Sequence, residues 1–97
     1  MQARDPLLLG LGQAIKELRK QRGLNQEELA DKGGAHRTYV GEVERAETNP
    51  TVPKVAELAV ALEIPLSELL ARAERRAGIR GVRGPKGTSG GDVRGAA

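Results

Sequence analysis

Apolar residues recur at intervals of three and four along the chain as far as residue 77, a spacing that indicates amphipathic α-helices. The first predicted helix starts at Asp5-Pro6, because aspartate caps free N–H groups and proline is tolerated at the first helical position. Gly23 ends this helix, since glycine readily adopts the conformation found just past a helix C-terminus. One face of the helix carries Leu7, Leu11, Ala14, Ile15, Leu18 and Arg22.

Two short helices are predicted next, separated by a pair of glycines. Asn25 is a favourable N-cap, and Glu28, three residues later, completes a capping-box pattern. Gly33-Gly34 stops this second helix after about two turns. The third predicted helix runs from His36 to Arg45. Its inward-facing residues are Val40 and Val43, and those left for solvent or a partner are Arg37, Thr38, Gly41, Glu42 and Arg45.

Two further helices follow a predicted loop at residues 46–50. Thr51 caps the fourth helix, Pro53 lies in its first turn, where proline is tolerated, and Glu63 ends it. Pro65 starts the fifth helix. Their apolar positions are Val55, Leu58, Ala59 and Leu62 in the fourth helix and Leu66, Leu69 and Leu70 in the fifth. Because no strand pattern competes, the sequence predicts an all-α domain of five helices.

Residues 78–97 differ in composition from the rest of the chain. Seven of these 20 residues are glycine and the apolar periodicity stops, so the segment cannot bury enough surface to offset the entropy of ordering it. The whole net charge of +3 lies here, because residues 1–77 carry twelve basic and twelve acidic side chains. We predict a folded domain at residues 1–77 and a flexible, glycine-rich, basic C-terminal tail at residues 78–97.

The composition argues against several kinds of function. The 97 residues fit one domain and leave no room for a separate catalytic or ligand-sensing unit. Cysteine is absent and His36 is the only histidine, so we expect no metal site and no thiol or acid–base centre. We expect neither a membrane span nor a signal peptide. The expected protein is cytoplasmic, is not an enzyme, and uses no cofactor and no small-molecule ligand.

The functional signal lies at about residues 25–45. A short capped helix, a glycine break and a second short helix are typical of a helix-turn-helix, in which the second helix enters the major groove of DNA. From about Leu9 to Leu70 the chain resembles the Cro/C1-type helix-turn-helix family, whose phage-repressor-like domain has five helices. The matching segments are Ile15–Ala30, Arg37–Arg45, Asn49-Pro50-Thr51, Ala56–Leu62 and Leu66–Leu70. The third helix opens with His36-Arg37-Thr38-Tyr39, which looks most like the controller proteins of restriction–modification systems.

This resemblance implies a compact DNA-binding domain and assigns residues to its contacts. Base contacts are implied for Arg37, Thr38, Tyr39 and Glu42, and backbone contacts for Asn25, Gln26, His36, Arg45 and Asn49. Arginine can grip guanine O6 and N7, and threonine can offer either its hydroxyl or its methyl group. Arg19 and Glu44 match a pair that forms a buried salt bridge between the first and third helices in this family.

Alternatives stay open for several of these residues. Tyr39 could pack at the helix junction instead of lying against DNA. Glu42 could pair with Arg45 or Thr38 within the helix. Asn25 and Gln26 could act only as capping residues.

The resemblance also implies a homodimer, because one helix-turn-helix contacts few bases and two-fold dimers read palindromes. We expect the fifth helix to form the interface through Leu66, Leu69 and Leu70, unless these leucines only complete the core of one chain. The leading hypothesis is a transcriptional regulator, a repressor or controller protein, that binds a palindromic operator in the nucleoid as a dimer. The alternative is an antitoxin or adaptor that uses the same fold to contact protein.

Four positions depart from the family pattern. Ala46 and Glu63 stand where glycine usually ends the third and fourth helices, and a positive φ at such a residue costs on the order of 1 kcal/mol. Gly41 weakens the third helix by roughly 0.5–1 kcal/mol relative to alanine. Gly33 replaces a small apolar residue and leaves a gap. These departures predict a domain of modest stability.

Overall fold

Five α-helices make up the fold in the computed structural model, which describes residues 5–78. In chain order they are α1 (Pro6–Gln21), α2 (Gln26–Gly33), α3 (Arg37–Glu44), α4 (Val52–Ala61) and α5 (Leu66–Ala77). The described residues contain no strand, so the prediction of an all-α, five-helix architecture is confirmed. The predicted flexible tail lies outside the described residues except for Gly78, the residue that ends α5.

Local hydrogen bonds set the predicted helix starts. The Asp5 carboxylate accepts from the Leu7 N–H at 2.8 Å, and Asn25 and Glu28 form a reciprocal capping box at the start of α2. Thr51 accepts from the N–H three residues ahead of it at the start of α4. His36 occupies the N-cap position of α3 without a side-chain hydrogen bond to the helix, so α3 starts without the stabilisation that a Ser or Thr cap provides.

The core is aliphatic and lies where all five helices meet. Its largest fully buried side chains are Ile15, Leu29, Val40, Val43, Leu58, Leu62 and Leu69. Burying these side chains stabilises each helix by tertiary packing, which matters most for the two eight-residue helices α2 and α3, because helices this short are marginal alone.

Two glycines let the backbone of α1 pack directly against the backbones of α5 and α3. A Cβ added to Gly10 would lie 2.3 Å from the carbonyl oxygen of Ala73 on α5. A Cβ added to Gly12 would lie 2.4 Å from the carbonyl oxygen of Glu44, the last residue of α3. Both distances are far inside van der Waals contact, so only glycine fits at either position. α1 therefore holds α5 on one side and the C-terminal end of α3 on the other.

The C-terminus of α4 uses an acidic residue in the left-handed conformation. Glu63 has a φ of 61°, and the N–H of Ile64 donates to the Ala59 carbonyl at 3.0 Å. The apolar periodicity placed Arg22 on the inner face of α1. In the structure Arg22 is exposed, and its Nε donates to the Leu62 carbonyl at 2.8 Å. The guanidinium thus satisfies a carbonyl that the end of α4 leaves free.

Replacing Glu63 with glycine is expected to raise the free energy of unfolding by about 0.5–1 kcal/mol, because glycine adopts positive φ without the steric cost of a Cβ. Urea denaturation followed by circular dichroism measures the change. The matched control is Glu57→Gly in the middle of α4, which should lower the stability by about 1 kcal/mol. A destabilised Glu63→Gly variant would contradict the prediction.

Candidate nucleic-acid interface

The turn between α2 and α3 sets the angle of the two helices. Gly34 adopts a φ of 68° and a ψ of 34°, the left-handed conformation, directly after α2. The N–H of Ala35 donates to the Ala30 carbonyl at 2.8 Å, and α3 begins two residues later. A short turn of this kind between two packed helices is the arrangement of a helix-turn-helix.

An open cleft of about 600 Å³ lies between the start of α2 and the outer face of α3. Its lining residues are Arg19, Asn25, Gln26, Glu27, Arg37, Thr38, Gly41 and Arg45. The cleft combines the N-terminal end of α2, where the helix leaves N–H groups free, with guanidinium groups from both ends of α3. Such a surface is suited to polyanions.

The first turn of α3 presents Arg37 and Thr38 to solvent. The Arg37 side chain is 70% exposed, and its Nη1 lies 3.8 Å from Oε1 of Glu27, in the first turn of α2. Arg37 and Thr38 stand at the end of α3 that reaches base edges in helix-turn-helix proteins. Their exposure leaves them accessible to DNA, and the base contacts assigned to them stay a prediction.

Gly41 lies on the cleft side of α3, as predicted, but it is buried there beneath two side chains. A Cβ at this position would lie 3.0 Å from Nη1 of Arg45 and 3.4 Å from Oε1 of Gln26. The two side chains therefore fold over the bare backbone of α3 and cover it. Because glycine leaves this space, the Arg45 guanidinium lies inside the cleft beside Gln26.

Arg19 and Glu44 form a two-pronged ion pair beneath the cleft. Arg19 Nε lies 2.6 Å from Oε2 of Glu44 and its Nη2 lies 3.1 Å from Oε1, with side-chain exposures of 10% and 3%. Arg19 Nη1 also donates to the Leu24 carbonyl at 2.9 Å, and Gln26 Nε2 donates to Glu44 at 3.0 Å. This network ties α1, α2 and α3 together and fixes the position of Gln26 at the cleft.

Tyr39 is half-buried and packs against the hydrophobic core. It also lines a second cleft, of about 420 Å³, together with Gly34, Ala35, His36 and Lys54. Its packing against the core fits the helix-junction role considered for Tyr39, and its contact with DNA stays a prediction. Lys54, which the sequence pattern did not single out, follows Pro53 in the first turn of α4 and brings a cation to this cleft.

The hydroxyl of Tyr39 is expected to titrate above its ordinary value of 10.0. Burial raises its pKa most, and the nearby carboxylates of Glu57 and then Glu42 raise it further. Because the folded state then holds the proton more tightly than the unfolded state, stability should fall as the pH rises from about 10 through the folded pKa. Tyr39 is the only aromatic residue, so absorbance at the tyrosinate band reports it directly. Glu57→Gln should lower the midpoint, and an unshifted wild-type midpoint would contradict the prediction.

Of the remaining predicted contact residues, Arg45 lines the first cleft and His36 the second, whereas Glu42 and Asn49 line neither. His36 and Asn49 are exposed, and Glu42 is half-buried. Arg45 Nε lies 3.0 Å from Oε2 of Glu47, so Arg45 forms its ion pair beyond α3 and not with Glu42. The hydrogen bond and charge of Glu47 raise the pKa of Arg45 above its ordinary value.

The three leucines predicted as a dimer interface are placed differently from one another. Leu69 is fully buried in the core of the single chain, so assigning it to an interface is a mistake that its spacing on the helix could not reveal. Leu66 is partly buried against the core, whereas Leu70 is 37% exposed. Leu7 and Leu9 on α1, which packs against α5, are each 38% exposed.

Within residues 5–78, no helix is long and apolar enough to cross a membrane. The same range holds no group of three or more His, Asp or Glu side chains arranged to bind a metal ion.

Comparison with known proteins agrees with this geometry. A family model described as helix-turn-helix matches residues 15–69. The control protein C.SmaI of Serratia marcescens is 42% identical over 62 residues, which are 64% of this chain and 74% of that protein. The transcriptional regulator SinR of Bacillus subtilis is 34% identical and is covered over 55% of its length by 62% of this chain.

The solved structures include controller proteins of restriction–modification systems. C.AhdI of Aeromonas hydrophila has a TM-score of 0.63 at 45% identity, covering 64% of this chain and 94% of that protein. A C.Esp1396I tetramer, solved in complex with its natural 35 base-pair operator, has a TM-score of 0.67 at 28% identity and covers 73% and 93% of the two chains. The predicted resemblance to controller proteins is confirmed.

Proposed function

The chain belongs to the helix-turn-helix family, and we propose that it is a sequence-specific DNA-binding transcriptional regulator that acts as a homodimer on a palindromic operator. The proposed partner is double-stranded DNA, and the proposed localisation is therefore the cytoplasm, at the nucleoid. Like the relatives described above, it is a regulator and not an enzyme.

The cleft between α2 and α3 carries this proposal. It brings the free N–H groups of one helix and the exposed first turn of the next to one surface, with Arg37 and Thr38 at its rim. Phosphate contacts at the N-terminal end of α2, near Asn25 and Gln26, would position the protein. Arg37 and Thr38 would then read base edges, with Tyr39 beside them and Glu42 in reach of a cytosine amino group.

Further backbone contacts are proposed for three residues, His36, Arg45 and Asn49. His36 begins α3, Asn49 lies in the loop before α4, and Arg45 lies in the cleft. Each side chain can donate a hydrogen bond to a phosphate oxygen. Lys54 adds a cation on the α4 side of Tyr39, and we include it among the backbone contacts.

The dimer is proposed to form through α5. Leu70 is exposed and Leu66 is partly buried, so both remain available to a second chain after Leu69 is assigned to the core. Two copies would each present an α3 to one half of an inverted repeat, with the half-sites separated by about one turn of DNA. C.Esp1396I, itself a controller protein, was solved as a tetramer on its operator.

Selection of bound sequences from a random DNA pool tests the proposal, followed by footprinting of the winning duplex. We expect an inverted repeat. Arg37→Ala should lose about 1–3 kcal/mol of discrimination at one base position in each half-site. Arg75→Ala, which removes the same charge from an exposed position on α5, is the control and should keep that preference. If a folded protein enriches no motif, an adaptor or antitoxin role replaces the proposal.

A further inference from the structure

Every arginine or lysine that lines the two clefts already has a carboxylate partner. Arg19 is paired with Glu44 inside the protein, and the other three pairs lie at the surface. The surface pairs are Arg37 with Glu27 at 3.8 Å, Arg45 with Glu47 at 3.0 Å, and Lys54 with Glu57 at 3.6 Å. Each cation proposed to meet DNA therefore lies beside a carboxylate in the free protein.

The carboxylates come from elements on either side of α3. Glu27 lies in the first turn of α2, and Glu47 follows the end of α3. A phosphate that approached the cleft would meet these carboxylates as well as the guanidinium groups. The surroundings offer little compensation, because residues 5–78 carry eleven basic and twelve acidic side chains. Non-specific attraction to DNA depends on phosphate neutralisation, so it should be weak for this domain.

The ion pairs of Arg37 and Arg45 are exposed enough that DNA can replace the carboxylate in each of them. Side-chain exposures are 70% and 66% for Arg37 and Glu27, and 56% and 38% for Arg45 and Glu47. Surface ion pairs of this kind are weak, so a DNA contact can displace them, but each displacement subtracts from the affinity for DNA. By contrast, the pair of Arg19 and Glu44 is too buried to open in this way.

We propose that Glu27 and Glu47 are intramolecular competitors for DNA, which hold Arg37 and Arg45 in the free protein and so set the affinity below the level that the arginine contacts alone would give. This inference rests on the proposed function. Glu27 is coupled to Arg37, and Glu47 is coupled to Arg45. A supporting role, in which the carboxylate orients the arginine for its base, would require the opposite effect on affinity.

The test measures binding of the full chain to its selected operator and to a scrambled duplex of equal length at one fixed salt concentration. Glu27→Gln and Glu47→Gln should each tighten binding by about two- to fivefold for each chain bound. The control is Glu63→Gln, which removes the same charge from an exposed position after α4, outside both clefts and outside α5, and should change binding less. Thermal melting checks that every variant is folded.

A double-mutant cycle separates competition from simple repulsion of phosphate. In an Arg37→Ala background, the gain from Glu27→Gln should shrink, whereas in an Arg45→Ala background it should persist. The Glu47→Gln gain should show the converse pattern. Equal gains in all backgrounds, unchanged affinity or weaker binding by the Gln variants would each overturn the inference. If the wild-type chain itself prefers no sequence, the proposed function fails first, and the two failures are thereby distinguished.

Discussion

Replacing Arg19 with methionine is expected to lower the free energy of unfolding by about 3 kcal/mol. The methionine fills most of the space but leaves the Glu44 carboxylate, 3% exposed, without its cation. Gln26 would be the remaining side-chain donor, and one neutral amide cannot offset the cost of keeping a charge out of water. Removal of one partner from a buried pair is costly for this reason, whereas the intact pair contributes little net stability.

Urea denaturation followed by circular dichroism at 222 nm measures this loss. The double variant Arg19→Met/Glu44→Leu should regain much of the stability, because it leaves no charge behind. Arg75→Met, which disrupts an exposed pair with Glu68 at 3.7 Å, should cost less than about 1 kcal/mol. The prediction is wrong if Arg19→Met and Arg75→Met are equally mild.

Gly12→Ala is expected to destabilise the domain by about 2–3 kcal/mol, even though alanine favours helices. The new methyl group would lie 2.4 Å from the Glu44 carbonyl oxygen and 2.7 Å from that of Val43. Both are backbone atoms, so no side-chain rotation relieves the clash. α1 or the end of α3 must move as a whole, which also disturbs the pair of Arg19 and Glu44.

The matched control for this variant is Gln13→Ala, at the neighbouring exposed position of α1. It carries the same alanine in the same turn and should leave the free energy of unfolding within about 0.5 kcal/mol of the wild type. Equal stability of the two variants would show that α1 can shift away from α3 at little cost, against the close approach seen here.

Local patterns predicted the helices well because their signals act over short distances. The capping box of Asn25 and Glu28 and the caps at Asp5 and Thr51 depend on residues two or three positions apart. The close approaches at Gly10 and Gly12 escaped notice, because each depends on a partner distant in sequence, on α5 or α3. In the sequence, a glycine on a helical face indicates only a less stable helix, and its packing role becomes apparent once the neighbouring backbone is located.

The candidate site was only partly predictable for a similar reason. Periodicity placed Arg37 and Thr38 outside correctly, because their exposure depends only on the facing of α3. It could not show that Arg45 folds over Gly41, since the path of a long side chain depends on what surrounds it. It also placed Leu69 at an interface, because one apolar stripe serves both a core and a partner.

The two glycines of α1 couple the position of α5 to that of α3. Gly10 meets α5 and Gly12 meets the end of α3, with one residue between them, so α1 joins the proposed dimer helix to the proposed reading helix with little slack. In a dimer formed through α5, the distance between the two reading helices must match the roughly 34–36 Å between half-sites. In such a dimer α1 would set this distance, and the operator spacing that the protein accepts would depend on residues that contact no base.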